Sequence, residues 1–364
     1  MKISLRACGL FLSCLLNMKA FYFVRGFGVL SMSKDIHYPT FTIETETATT
    51  LLVASSKDPA SCVMSNTLLK MGHWEEVAPG AQGGGQAWVH MKAGRRASGV
   101  ALWRVDVPLL GLDDPDCRWT EGGESRSKPM DVLFLSKHVA ASGRPALCVH
   151  PIGLPDPACS REWGGMPGKC PPPSPRIAGC LRELQQACKE ANLDSTFEVT
   201  LEVTHHGPYL QTPAMFVEIG SSEEHWERQD AANVWAVTIS RMLGLDGVEG
   251  QKTWASLDAA ERGEQTAFVG LGGGHYAPRH GDVARQEGRY MGHMLASYAL
   301  NFGPGGGWKE AVVEAIGATR LAYPGVGCVA AHVDKKSFKS ADRSQLVSYL
   351  EELGVDFRMR TVDC

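Results

Sequence analysis

The chain has 364 residues, 44% of them hydrophobic, which is enough to bury a large core in one big domain or two. Its net charge of −4 excludes a globally basic nucleic-acid coat but leaves room for a local basic patch. Eleven cysteines without a CxxC pair or regular spacing argue against a zinc ribbon and a disulfide framework, and point to reduced, buried thiols.

In chain order, residues 1–34 stand apart. They hold Lys2, Arg6, Lys19, Arg25 and Lys34, with no acid before Asp35. Lys19 and Arg25 interrupt the apolar stretch, so an organelle transit peptide suits the segment better than a secretory signal. The plainer reading is a gene-model extension, with translation starting at Met32 or later. Residues 1–47 are therefore set aside as an N-terminal extension, and 48–364 as the domain. No apolar run after residue 34 is long enough to span a membrane.

The core opens with a buried strand at Leu51–Ala54, a turn at Ser55–Pro59 and a helix at Ala60–Met71. Gly80–Gly85 is a loop, Trp88–Met91 and Ala101–Val107 are strands, and Asp113–Gly123 is turn-rich. Asp131–Ser136 is a buried strand ending in Lys137-His138, and Leu147–Val149 runs into His150-Pro151-Ile152-Gly153. The Pro- and Gly-dense residues 151–176 predict a long irregular surface loop. Arg176–Asn192 is amphipathic and helical, with Leu181, Leu184 and Cys188 on one face. Phe197–Thr204 alternates as a strand, Met215–Ile219 is another, and a helix follows over Glu223–Leu243 with Ser221 and Glu224 as a capping box. Val283–Leu300 reads as helix, Arg320–Tyr323 and Cys328–Val333 as strands, and Asp342–Leu353 as a last helix. This alternation predicts an α/β fold with one mixed, largely parallel central sheet flanked by helices, binding ligands at the C-terminal strand ends.

Two strand ends carry the chemistry. The apolar run Ala267–Leu271 stops at Gly272-Gly273-Gly274, followed at once by His275, Tyr276, Arg279 and His280. Glycines there let backbone N–H groups approach a ligand closely. The strand Phe197–Thr204 breaks into His205-His206-Gly207-Pro208. Adjacent residues of a strand face opposite ways, so both histidines serve one site only if Gly207-Pro208 turns the chain. Glu218, inside an apolar strand, needs a partner such as a histidine, or else faces solvent from an edge strand. Lys335, Lys336 and Lys339, just beyond a strand end, form a basic group with Arg279, Arg285, Arg289 and Arg343. The glycine loop is neither a P-loop nor a GxGxxG fingerprint, and HExxH, nucleophile-elbow and deaminase patterns are missing.

The motifs THHGP (Thr204–Pro208), TPAMFVEIGSSEEHW (Thr212–Trp226), VGLGGGHYAPRH (Val269–His280) and HVDKKSFK (His332–Lys339), in this order, resemble the D-aminoacyl-tRNA deacylases of the archaeal and plant type. LLVASSKDPAS and HPIG are similar to the plant members, and the resemblance runs from about residue 50 to the C-terminus. It implies a fold resembling peptidyl-tRNA hydrolases and nucleoside phosphorylases. It also implies a monomeric, zinc-associated esterase that removes D-amino acids from tRNA, in plants including aldehyde-modified forms. Such an enzyme is cytoplasmic, or lies in chloroplast or mitochondrion if residues 1–34 are a transit peptide.

Under that resemblance, His205 or His206 is the base or a zinc ligand, Glu218 orients it, and His275 is a second base or ligand. Gly272–Gly274 N–H groups, with Tyr276, hold the oxyanion. Arg279, Lys335 and Lys336 hold phosphates of the tRNA acceptor end. The metal candidates are His205, His206, Glu218 and His275. Two rival classes remain: a nucleoside phosphorylase-like enzyme, and a non-catalytic tRNA-binding module.

Overall fold

Apolar runs without alternation, such as TLLVAS and DVLFLSK, become strands covered on both faces. In a computed structural model that describes residues 50–77, 85–91, 99–115, 129–247 and 250–364, the elements follow in this order. They are β1 (Thr50–Ser55), α1 (Pro59–Met71), β2 (Trp74–Val77), β3 (Gln86–His90), β4 (Val100–Val105), β5 (Asp131–Lys137) and β6 (Ala146–His150). Then come α2 (Ile177–Glu190), β7 (Glu198–Leu201), β8 (Ala214–Gly220), α3 (Glu223–Trp226), α4 (Gln229–Leu243) and α5 (Ala259–Gly263). The last third is β9 (Thr266–Leu271), α6 (Pro278–Ala284), β10 (Tyr290–Leu295), α7 (Trp308–Ala322), β11 (Cys328–Val333), α8 (Ser340–Glu352) and β12 (Phe357–Arg358). The N-terminal extension, most of the Gly80–Gly85 loop and residues 116–123 of the turn-rich stretch lie outside the described residues.

The strands form two sheets rather than the single one expected. The larger has eight strands in the order β2-β3-β4-β1-β5-β8-β6-β7, the smaller four in the order β10-β9-β11-β12. Strands β4, β1, β5 and β8 are parallel, β6 runs antiparallel to β8, and β7 is parallel to β6. All pairings of the smaller sheet are parallel. Leu52, Leu133, Met215 and Val217 of the large sheet pack under α1, α2 and α4. Their alternating neighbours Leu51, Val53, Phe134 and Phe216 form a second core on the opposite face. Val269, Val329, Val333, Ile316 and Leu346 make the core of the smaller sheet with α7 and α8.

Several segments differ from the sequence expectation. Val283–Leu300 is not one helix. Gly288 turns the chain at φ +71° after α6, and the apolar run that follows becomes β10. Arg320–Tyr323 is not a strand: Arg320–Ala322 form the last turn of α7. The helix expected over Glu223–Leu243 breaks at Arg228, which is extended. Its first piece is capped by Ser222 without a side-chain bond, while Ser221 Oγ donates instead to the Arg144 carbonyl at 2.7 Å. The Pro-rich loop is not a surface excursion at its ends. Pro151–Pro155 and Cys170–Ser174 are buried, and Ile152 bridges His205. The described cysteines Cys62, Cys148, Cys159, Cys170, Cys180, Cys188, Cys328 and Cys364 are free thiols.

The sheets are stitched where β7 ends. Ala277 N–H donates to Leu201 O (2.9 Å), Val203 N–H to His275 O (3.0 Å) and Thr204 N–H to Met294 O (2.7 Å). His293 of β10 completes the seam. A carbonyl accepts only, so the Nε2 that lies 2.9 Å from Pro171 O carries the hydrogen, and Nδ1 accepts from Thr204 Oγ at 3.0 Å. Burial pushes this imidazole down from 6.5 to about 4, only partly opposed by its bond to Pro171 O. Between those pH values the unfolded chain takes up a proton that the folded chain refuses. The stability contribution is therefore fully present above pH 6.5 and declines as pH falls towards 4. His293→Gln should lose less melting temperature between pH 7 and pH 5 than the parent chain does. Equal losses would contradict the buried neutral imidazole.

Candidate active site

Beside Glu218 of β8, between the end of β5 and the oppositely directed ends of β6 and β7, and under the β9 loop, polar side chains fill a largely buried space. Glu218 lies opposite Ser136 of β5 and Cys148 of β6, so it belongs to an interior strand and not an edge. It shares a face with Phe216, whose ring stacks between Phe134 (4.8 Å between centroids) and His150 (5.2 Å). His138 follows β5 directly. The end of β5 is held because Asp58, the N-cap of α1, accepts the Lys137 N–H at 3.0 Å. Gly220 leaves room for the imidazole: a Cβ there would lie 2.6 Å from the His138 side chain.

Two carboxylates organise the histidines. His138 Nδ1 lies 3.0 Å from Glu202 Oε1 and 3.4 Å from Glu218 Oε2. His275 Nε2 lies 3.2 Å and His205 Nε2 3.6 Å from Glu202 Oε2, and His150 Nε2 is 3.7 Å from Glu218 Oε1. Glu202 is fully buried, yet neither of its oxygens accepts an aligned hydrogen bond. A buried carboxylate in that state needs cationic compensation. Burial would raise the Glu218 carboxyl, but His138 and His150 outweigh it and hold the group well below the ordinary carboxylate range. Burial likewise works against charge on His138 and His150, and the two carboxylates outweigh it, raising both.

The histidine pair behaves differently. His206 takes φ +43°, which turns the chain so that both rings meet, with centroids 4.3 Å apart. Burial, then the neighbouring imidazoles, push His205 well below its ordinary value, and burial with His150 lowers His206 to about 4. Both stay neutral. His205 Nδ1 lies 2.7 Å from Val203 O, His206 Nδ1 2.7 Å from Gly207 O, and His150 Nδ1 3.0 Å from Pro151 O. Each Nδ1 therefore carries the hydrogen, and the neutral rings of His205 and His206 present their Nε2 lone pairs. A backbone carbonyl on one imidazole nitrogen and a free lone pair on the other is how metal-bound histidines are held. One ligating atom from each of His150, His205 and His206 lies within 4.8 Å of the others. The same holds for Glu202, His205 and His275, for His150, Glu202 and Glu218, and for His138, Cys148 and Glu202. With Glu202 unbonded and His150 Nε2 likewise, the donor set fits a divalent cation, which would displace the proton from His150.

A family model described as D-aminoacyl-tRNA deacylase matches residues 126–358, more than half of the chain. The chain belongs to this family. An Arabidopsis thaliana D-aminoacyl-tRNA deacylase is 39% identical over 324 residues, covering 84% of this chain and 97% of that protein. Its Aeropyrum pernix counterpart is 35% identical over 225 residues, covering 61% and 73%. The crystal structure of a conserved protein of unknown function aligns with a TM-score of 0.67 at 25% identity, covering 86% of this chain and 95% of that one.

In this deacylase-family chain, His205, His206, Glu218, His275 and Tyr276 meet in one cluster. Tyr276 is turned to His138: its hydroxyl is 3.1 Å from His138 Nε2 and 3.3 Å from Ser221 Oγ. Burial lifts the phenol to about 12, partly opposed by Ser221, so it stays protonated. Of the loop amides, Gly272 N–H already donates to Leu295 O (2.8 Å) and Gly273 N–H to Ser337 Oγ (2.8 Å), so neither is free for an oxyanion. Arg279 pairs with Asp334 (3.3 Å) beside the exposed Lys335 and Lys336, on the turn that receives Gly273. Sequence reasoning missed Glu202, His138 and His150 as members of the cluster. His138 and His150 carried a signal, since each closes an apolar strand.

Glu202→Gln keeps the shape and removes the charge at the junction of three of the four groups. Equilibrium dialysis against Zn²⁺ should show affinity reduced at least about tenfold in this variant. Unchanged affinity would place any bound ion elsewhere.

Proposed function

We propose that residues 48–364 form a deacylase domain that hydrolyses the ester of D-aminoacyl-tRNA, releasing the free D-amino acid and tRNA. The observation that carries this reading is the Glu202–His275 pair, which places a carboxylate-oriented imidazole at the exposed edge of a buried cluster. His275 (38%) and His205 (24%) are both far more exposed than His138 and His150, so the substrate ester reaches the site over these two rings. Nε2 of His275 faces Glu202, which leaves Nδ1 to take the proton of the attacking water. The water oxygen bonds to the ester carbonyl carbon, and Glu202 stabilises the imidazolium that forms. When the tetrahedral carbon collapses, the bond to the ribose oxygen breaks and His275 returns the proton to that oxygen. An aminoacyl ester is already activated, so one base and good positioning suffice.

His150, His205, His206 and Glu202 would hold the metal, and three nitrogens with a carboxylate suit zinc. When bound, it would supply a Lewis acid for the ester carbonyl and lower the pKa of its water. Lys335 and Lys336 sit on the neighbouring turn, and Arg279 of α6 is paired to Asp334 at its start, where acceptor-end phosphates would need them. A monomer is the oligomeric state that the family resemblance implies. Among the described residues no helix is long and apolar enough to cross a membrane. The family resemblance implies a cytoplasmic enzyme, or an organellar one if residues 1–34 are a transit peptide.

D-Tyr-tRNA and L-Tyr-tRNA, offered side by side before and after exhaustive chelation, test the reading. Loss of the D-ester alone is expected, with chelation reducing the rate. Survival of both esters would overturn the assignment and move phosphorolysis or simple tRNA binding to the front. His275→Asn should lower kcat by about 100-fold or more with little change in KM. A rate near that of the parent would remove His275 as base.

A further inference from the structure

The rim of the cluster carries groups that the ester chemistry leaves unused. Gly273 is gripped from both sides. Its N–H donates to Ser337 Oγ at 2.8 Å, and its carbonyl accepts from the Ser297 N–H and the Ser297 Oγ, each at 3.0 Å. Ser297 opens the short turn Ser297–Ala299, and Ser337 closes the turn Lys335–Ser337. The first turn presents Tyr298, 65% exposed, and the second presents Lys335 and Lys336, both exposed. An aromatic ring and two ammonium groups are thus carried on the two turns that bond the N–H and the carbonyl of one residue, two positions before His275. The Tyr298 hydroxyl reaches only to 3.4 Å from His275 Nδ1, and its ring is left open to solvent.

Single-stranded nucleic acid is recognised by this combination: aromatic faces stack bases, and cations beside them track the phosphates. The ester attacked in the cluster sits on the ribose of the last nucleotide, so that nucleotide's base is one sugar away from His275. We propose that Tyr298 is the stacking platform for the 3′-terminal base of the substrate tRNA, with Lys335 and Lys336 taking the phosphates beside it. This rests on the deacylase reading above and names the part of the substrate that the rim grips. Stacking is tolerant of base identity, and the Gly273 clamp fixes the spacing between platform and cations. The RNA end is therefore placed by its shape, leaving the aminoacyl group to be judged in the cluster.

The test uses the full chain and its Tyr298→Phe and Tyr298→Leu variants. Each is titrated with an uncharged RNA oligonucleotide ending in CCA, and with the same RNA carrying an abasic 3′ nucleotide. The parent and the Phe variant should bind the complete RNA about tenfold or more tightly than the abasic one, and the Leu variant should lose that preference. In D-Tyr-tRNA hydrolysis, Tyr298→Leu should raise KM by a similar factor while kcat changes little. Equal affinity of the parent for both RNAs, or a Phe variant as impaired as the Leu variant, would overturn the platform; the latter assigns the hydroxyl to positioning His275. Failure of the parent to cleave D-Tyr-tRNA would defeat the deacylase reading alone, since the RNA titrations need no ester.

Discussion

The arrangement depends on one buried carboxylate. Glu202 is fully covered by protein, its oxygens accept no aligned hydrogen bond, and imidazoles of His138, His205 and His275 stand within 3.6 Å of them. Leaving such a charge uncompensated costs roughly 3–5 kcal/mol. The cluster is thus assembled around an electrostatic requirement, and its chemistry follows from the way it is met. Histidines near carboxylates are driven towards charge, while His205 and His206, set among other imidazoles, are driven away from it. One pocket therefore holds rings drawn towards charge by the acids beside them and neutral rings that offer lone pairs.

The fold supplies the convergence. Parallel strands β5 and β8 end side by side, β6 and then β7 lie beyond β8 and run in the opposite direction, and the seam between the sheets carries the β9 loop over them. His293 and the buried stretch around Pro171 brace that seam. At Gly207, a Cβ would lie 2.2 Å from the Gly165 backbone nitrogen, so the histidine turn and the Pro-rich loop approach as only glycine permits. The loop that composition marks as irregular is thereby part of the wall of the site.

Much of this was legible in the sequence. Paired histidines after an alternating strand, a Gly-Gly-Gly-His loop after an apolar one, and a glutamate inside an apolar strand all converge as expected. Glu202 was hidden because it alternates with Glu198 and Thr200, a pattern that reads as a solvated face; a second sheet covers its end of that face. His138 and His150 ended strands visibly, but nothing local says that their strands flank Glu218. The sequence offers Tyr276 and the Gly272–Gly274 amides as oxyanion donors, and of these Tyr276, Gly272 and Gly273 are engaged by long-range hydrogen bonds. Helix and strand are also confused at Val283–Leu300, where an apolar run fits either period and Gly288 decides it through backbone conformation.

The central claim is that His205 and His206 are locked as neutral Nδ1–H tautomers with Nε2 turned into the cluster. Nitrogen-15 NMR of the imidazole rings in the metal-free protein at pH 7, assigned through single His→Gln variants, reads this directly. The account predicts a protonated Nδ1 and an unprotonated Nε2 for both residues. Imidazolium rings, or the opposite tautomer, would contradict it.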